Sequence, residues 1–213
     1  MFNCISLDFD GTICDTKNSI KCTLNDLFPL KKDEEINNII SKGLSLKDTL
    51  AYLSDSNIND DDISALVLAY REKYNKEYFV HQKLYPYVKE VIEDLHHKGI
   101  LTVIVSNKGE KSIHDFLDKN KLTHAISLVV GSRSDVKSKP NTDSWDKVIK
   151  KQFTSLSLSN VLHVGDTELD IEYAKNLNIR CGYVTYGFGR PVSDLILKPD
   201  FIFEEFNDIL KII

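Results

Sequence analysis

The chain has 213 residues, 42% hydrophobic and 28% charged, enough to bury a large core. Its 27 basic and 32 acidic residues leave a formal charge of −5 with no dense basic stripe, which argues against nucleic acid as a partner. No apolar run approaches the ~20 residues of a membrane span, and Cys4, Cys14, Cys22 and Cys181 have neither CxxC nor zinc-site spacing, so free thiols in a reducing cytoplasm are expected.

Residues 2–8 read as a buried strand, apolar at Phe2, Ile5 and Leu7, with Phe9 following and Gly11-Thr12 stopping the run. Asp8 and Asp10 stand two apart at its end, and side chains two apart on an extended backbone point the same way. Two anions held that close are costly unless a cation sits between them, and Mg²⁺ is the simplest candidate. From Asp15 to about Tyr85 the period is helical. Leu24, Leu27 and Phe28 share one face, Ile36, Ile39 and Ile40 a second, Leu46, Thr49, Leu50 and Leu53 a third, and a longer helix is predicted from Asp60 to Phe79.

After Pro86 the pattern changes. A helix through Val88, Val91, Ile92 and Leu95 ends at Gly99. Strands are then predicted over 100–105, 126–130, 160–164, 180–184 and 201–203, alternating with helices over 109–119, 142–153, 168–176 and the terminus. That alternation implies an α/β fold with a parallel sheet covered by helices on both faces. The expected division is a Rossmann-like core of residues 1–14 and 86–213, interrupted by an all-helical domain of residues 15–85.

Ligands of open α/β sheets bind beyond the carboxyl ends of the strands. Asp8 and Asp10, Ser106-Asn107, Lys139 and the run Gly165-Asp166 to Asp170 all fall at such ends. Four carboxylates, a hydroxyl beside an amide and one lysine suit a phosphate monoester bound to Mg²⁺. Asp8, the more rigidly held carboxylate, is the expected nucleophile and Asp10 the general acid and base. Ser106, Asn107 and Lys139 would meet phosphoryl oxygens, Asp8, Asp10 and Asp166 the metal, and Asp170 would support Asp166 or orient Lys139. His163, mid-strand, reads as a packed core residue.

The order of these pieces resembles the haloacid dehalogenase superfamily of Mg²⁺-dependent aspartyl phosphatases over essentially the whole chain. Asp8-Phe-Asp-Gly-Thr12 resembles its first motif, Ser106 its second, Lys139 its third and Gly165-Asp166 through Asp170 its fourth. The resemblance implies that Gly11 and Thr12 join the substrate-binding groups, and that the helical insert is a C1 cap. Val184-Thr-Tyr-Gly-Phe-Gly189 and Pro199-Asp-Phe-Ile-Phe203 are similar to the phosphoglycolate phosphatase-like branch, although Thr142 stands where that branch has a second proline. The expected reaction is hydrolysis of a small phosphorylated metabolite, phosphoglycolate-like, nucleotide or sugar phosphate, through an aspartyl phosphate.

Ser41 to Leu46 resembles the substrate loop of β-phosphoglucomutases, but Leu46 replaces their arginine and Ile20 their histidine. A sugar phosphotransferase is therefore the alternative, and a non-catalytic binding protein that kept the fold is the second. Specificity is expected in the cap, at Lys42 and Gly43, with Lys42 meeting an anionic leaving group.

Overall fold

A computed structural model describes residues 2–54 and 58–213. Six strands form one all-parallel sheet: β1 (Cys4–Leu7), β4 (Leu101–Gly109), β5 (Leu128–Ser132), β6 (Val161–Gly165), β7 (Arg180–Val184) and β8 (Phe201–Phe203). The spatial order is β5-β4-β1-β6-β7-β8. Chain direction across the sheet therefore reverses at β1, and the crevice beyond its carboxyl end is where such sheets bind ligands. β1 and β6 are buried at every position, and β4 carries the β-branched run Thr102 to Val105, as strands covered on both faces require.

Helices α5 (Val88–His97), α6 (Glu110–Lys119), α7 (Lys150–Gln152) and α8 (Glu168–Asn176) cover the sheet. Ile5, Leu7, Val91, Ile92, Leu95, Ile113 and Phe116 belong to one buried cluster. Val103, Val105, Val161, Ile171, Tyr173 and Ala174 belong to another. α5 closes at Gly99 with a φ of 71°, the left-handed conformation that glycine adopts freely. The helix expected over 142–153 is instead a wide helical turn, Ser144–Ile149, running into α7.

Between β1 and α5 lies the insert: α1 (Lys17–Leu27), α2 (Asp33–Ile40), α3 (Leu46–Leu53) and α4 (Asp60–Lys73). Their apolar faces meet around Leu24, Ile36, Ile39, Leu50, Leu53 and Tyr70. Ser45 and Asn59 cap α3 and α4 by accepting from the amides of Asp48 and Asp62. A two-residue antiparallel ribbon, β2 (Cys14–Asp15) with β3 (Lys83–Leu84), ties the two ends of the insert together. The segment predicted as one helix to Phe79 leaves α-geometry at Lys73, widens over Tyr74–Tyr78 and tightens over Phe79–His81. Tyr70 and Tyr74 stack there with centroids 5.7 Å apart.

Candidate active site

β1 ends in a buried sheet, so the first side chain beyond it is held by the backbone on both sides. That residue is Asp8, whose amide donates to the carbonyl of Val164 at 2.9 Å. The neighbouring β6 leads to Asp166, and the first turn of α8 carries Asp170. Carboxylate oxygens of Asp8, Asp166 and Asp170 lie within 4.8 Å of one another, all buried.

One ammonium offsets them. Lys139 Nζ is 2.5 Å from Asp170 Oδ1 and 3.0 Å from Asp8 Oδ1. The contact to Asp8 is an ion pair by distance without hydrogen-bond alignment, so that buried oxygen has no hydrogen-bond partner. Asp170 is saturated: Oδ1 also accepts from His163 Nε2 at 3.2 Å, and Oδ2 from the amide and hydroxyl of Thr167. It acts as the counter-ion of Lys139 and closes the capping box of α8.

The electrostatics follow from this geometry. Burial pushes the Asp8 carboxyl up to about 6, with Lys139 working against that and Asp170 adding to it. Burial, Asp170 and Asp8 together hold Asp166 well above the usual carboxylate range. Burial alone would raise Asp170, but Lys139 and His163 outweigh it and hold its carboxyl far down. Burial likewise works to lower Lys139, and Asp170 and Asp8 overcome it and raise the ammonium's value. His163 is lowered by burial and stays neutral. With Nδ1 hydrogen-bonded to Ser6 Oγ at 2.9 Å, its Nε2–H faces Asp170.

Three buried carboxylates against one ammonium leave an excess of two negative charges, a cost that a divalent cation removes. The donor set is all oxygen, as Mg²⁺ requires. Gly11 approaches Asp166 so closely, at a φ of 83°, that a Cβ there would overlap the carboxylate. The residues therefore fit such an ion, with Asp8 and Asp166 the two that would hold it, Asp166 being steadied by the Thr12 hydroxyl and the Phe188 amide.

Other expected site residues take different places. The Asp10 carboxylate stands outside this group. Its Oδ1 accepts from Thr16 Oγ1 at 2.7 Å and from Lys108 Nζ at 3.0 Å. Thr12 and Gly11, expected against substrate, face inward: the Thr12 hydroxyl donates to Asp166 Oδ1 at 3.0 Å and the Gly11 amide to the carbonyl of Cys14. Ser106 is buried and lines the cavity over Asp8. Asn107 is a strut: its amide nitrogen donates to the carbonyls of Gly43 and Lys139, and its oxygen accepts from the Lys139 amide at 2.8 Å. β4 runs past its expected end at 105 to Gly109 with an irregular register after Val105, which re-aims Ser106 and Asn107.

A cavity of about 410 Å³ opens between core and insert, with Asp8, Asp10, Ser106 and Asn107 on its core side. Gly43 lines it, with a φ of 64° and a Cβ position 2.8 Å from Thr167 Oγ1, so the insert rests on the core there. Lys42 does not line it. Its Nζ lies instead over the ring of Tyr52, an exposed residue, at 4.7 Å. The lysine that reaches Asp10 is Lys108, which also donates to Tyr74 Oη at 3.0 Å and stands 4.5 Å from that ring. The contacts of Lys108 and Thr16 with Asp10 and the His163 link to Asp170 have no motif in the sequence to mark them. The one signal is that Lys108 directly follows Ser106-Asn107.

Residues 5–184 match the model of the haloacid dehalogenase-like hydrolase family. A phosphoglycolate phosphatase of Aliivibrio fischeri is 30% identical over 98% of this chain and 95% of its own. The crystal structure of a predicted phosphoglycolate phosphatase from Haemophilus somnus superposes with a TM-score of 0.80 at 27% identity, covering 99% of this chain and 97% of the other. A haloacid dehalogenase-like hydrolase of Streptococcus pneumoniae shares the fold, with a TM-score of 0.79 at 22% identity over 99% and 97% of the two chains.

Proposed function

This chain belongs to the haloacid dehalogenase-like hydrolase family, and on that premise we propose a Mg²⁺-dependent phosphatase that hydrolyses a small phosphorylated metabolite through an aspartyl phosphate on Asp8. That it is a phosphoric monoester hydrolase of the phosphoglycolate phosphatase-like branch accords with its relatives. The observation that carries the mechanism is the buried group of Asp8, Asp166 and Asp170 around a single ammonium, at the reversal point of a parallel sheet. We propose residues 1–14 and 86–213 as the catalytic core and 15–85 as a cap.

Asp8 and Asp166 would hold the ion. Mg²⁺, when bound, supplies positive charge against the phosphoryl oxygens and the crowded carboxylates. A carboxylate oxygen of Asp8 attacks phosphorus, the bond to the alcohol oxygen breaks, and Asp10 gives that oxygen a proton. Asp10 then takes a proton from water as the water oxygen attacks phosphorus and the bond to Asp8 breaks. The balance is monoester plus water to alcohol plus phosphate, with Asp8 and Asp10 returned to their starting states. Lys139, anchored by Asp170, keeps the Asp8 carboxylate in line, and Ser106 faces the phosphoryl oxygens from the other side.

Hydrolysis is favoured over return of phosphate to a sugar because Ile20 and Leu46, which replace the two polar residues of the mutases, both line the cavity. A panel of phosphate monoesters assayed with Mg²⁺ and with a chelator tests the reading. Turnover should need the metal and vanish in Asp8→Asn. Metal-independent turnover, or an active Asp8→Asn protein, would refute it.

A further inference from the structure

The part of the cavity that faces the leaving group has its own chemistry. Ile20 of α1, Leu44 in the turn after Gly43 and Leu46 at the start of α3 are half-buried and line it. Ile39 and Ile40 of α2 close the wall behind them, and Phe188, from the loop after β7, lines it too and packs into the core of the insert. These side chains come from five separate segments of the chain and line the same cavity as Asp8 and Asp10.

Cations are scarce on that surface. Lys108 is committed to Asp10 and Tyr74. Lys111, exposed, is paired with Asp115 at 2.7 Å. Arg71 is exposed, and its guanidinium spans to 3.9 Å from the Cβ position of Gly109 at the start of α6. Lys42 points away. A carboxylate set against the Ile20, Leu44 and Leu46 wall would thus leave water for hydrocarbon, with the exposed guanidinium of Arg71 the one lining cation not already paired among the described residues, and sugar hydroxyls would fare little better. The volume, about 410 Å³, lies within the ~300–1,000 Å³ of ordinary small-molecule sites and is generous for a two-carbon acid.

We propose that this surface is an apolar leaving-group subsite, so that the preferred substrate is a phosphate monoester of an uncharged alcohol bearing a hydrocarbon or aromatic face. This rests on the phosphatase reading and narrows it. Of the candidate metabolites, a nucleotide has such a face in its base, whereas glycolate and simple sugars lack one.

The test uses n-alkyl phosphates from ethyl to hexyl, whose alcohols leave with nearly constant acidity, so chain length changes burial and little else. With the full-length Mg²⁺-loaded protein, kcat/KM should rise up to about fourfold per methylene, and at least about tenfold from ethyl to hexyl. Hexyl phosphate should also exceed phosphoglycolate. Leu46→Gln and Ile20→Gln, at half-buried positions that tolerate the change in shape, should each flatten the slope of log kcat/KM against chain length. A flat series in the wild-type protein, with phosphoglycolate the better substrate, would overturn the subsite and leave the phosphatase standing. No turnover of any monoester would overturn the phosphatase itself and the subsite with it.

Discussion

Asp8 and Asp10 are two residues apart and have different environments, which is why their substitution should have different signatures. Asp8 is buried, short of a hydrogen-bond partner, and crowded by Asp166 and Asp170. Asp8→Asn removes one of the two excess negative charges and keeps the shape, so turnover should fall to background while the metal-free protein melts at a higher temperature. Calorimetry without metal checks this, and a lower melting temperature would contradict the crowding argument. Asp10 sits between Thr16 and Lys108, on the cavity side. Asp10→Asn should slow transfer from an alkyl phosphate about 10²–10⁴-fold and from an aryl phosphate much less, because a good leaving group needs no proton. Rapid-quench rates that fall equally for both would remove it as the acid. Asp8, Asp166, Lys139 and Asp170 were legible in the sequence because each follows a strand that pattern alone locates. The second contacts were not. No pattern in the sequence tells Asn107 the phosphate donor from Asn107 the strut, and Lys42 reads as a free cation until the structure sets it over Tyr52.

Secondary structure was legible wherever an element is long enough to show a period. β4, β6, β7 and the helices α5, α6 and α8 fall within a few residues of their predicted ranges, and α1, α2 and α3 form around the apolar faces read from the sequence. The two-residue ribbon of β2 and β3 is too short to alternate, and the widened turn at Tyr74–Tyr78 keeps a helix-like spacing in sequence, so neither was visible. The turn at Gly43 is where insert and core meet, through its carbonyl to Asn107 and its backbone against Thr167. Gly43→Ala places a Cβ 2.8 Å from Thr167 Oγ1 and strains a left-handed residue, at a cost of about 1–2 kcal/mol. Urea melts should show a loss of that order, and kcat/KM should fall at least about tenfold because the contact lines the same cavity as Asp8 and Asp10. A fully active, fully stable Gly43→Ala protein would show that the contact does not position the insert.

At the scale of the molecule the governing quantity is the charge balance of the site, and it ties metal to pH. Asp8, at about 6, and Asp166, also raised, favour their protonated forms in the fold relative to the ~4 of an unfolded chain. The contribution of Asp8 to the stability of the metal-free protein is present below about pH 4 and is lost as pH rises through 6, and that of Asp166 has the same sign. Mg²⁺ takes the place of those protons, so it should raise the melting temperature more at pH 8 than at pH 5. A hundredfold excess over Kd is worth about 2.7 kcal/mol, or roughly 5–10 °C for a chain of this size. Equal shifts at both pH values would mean that the ion binds elsewhere. The parallel sheet was foreseeable from the alternation of helices and strands, but the order of strands around β1 and the crowding of carboxylates at its end, which depends on which of them are already paired, emerge only in three dimensions. The central claim is that phosphate passes through Asp8. Acid quench of the Mg²⁺-loaded protein with ³²P-labelled substrate, followed by borohydride reduction and peptide mapping, tests it most directly. Label that appears and decays within one turnover, with Asp8 converted to homoserine and no label in Asp8→Asn, is the expected result. Phosphate released with no labelled protein at any time, or label on another residue, would contradict it.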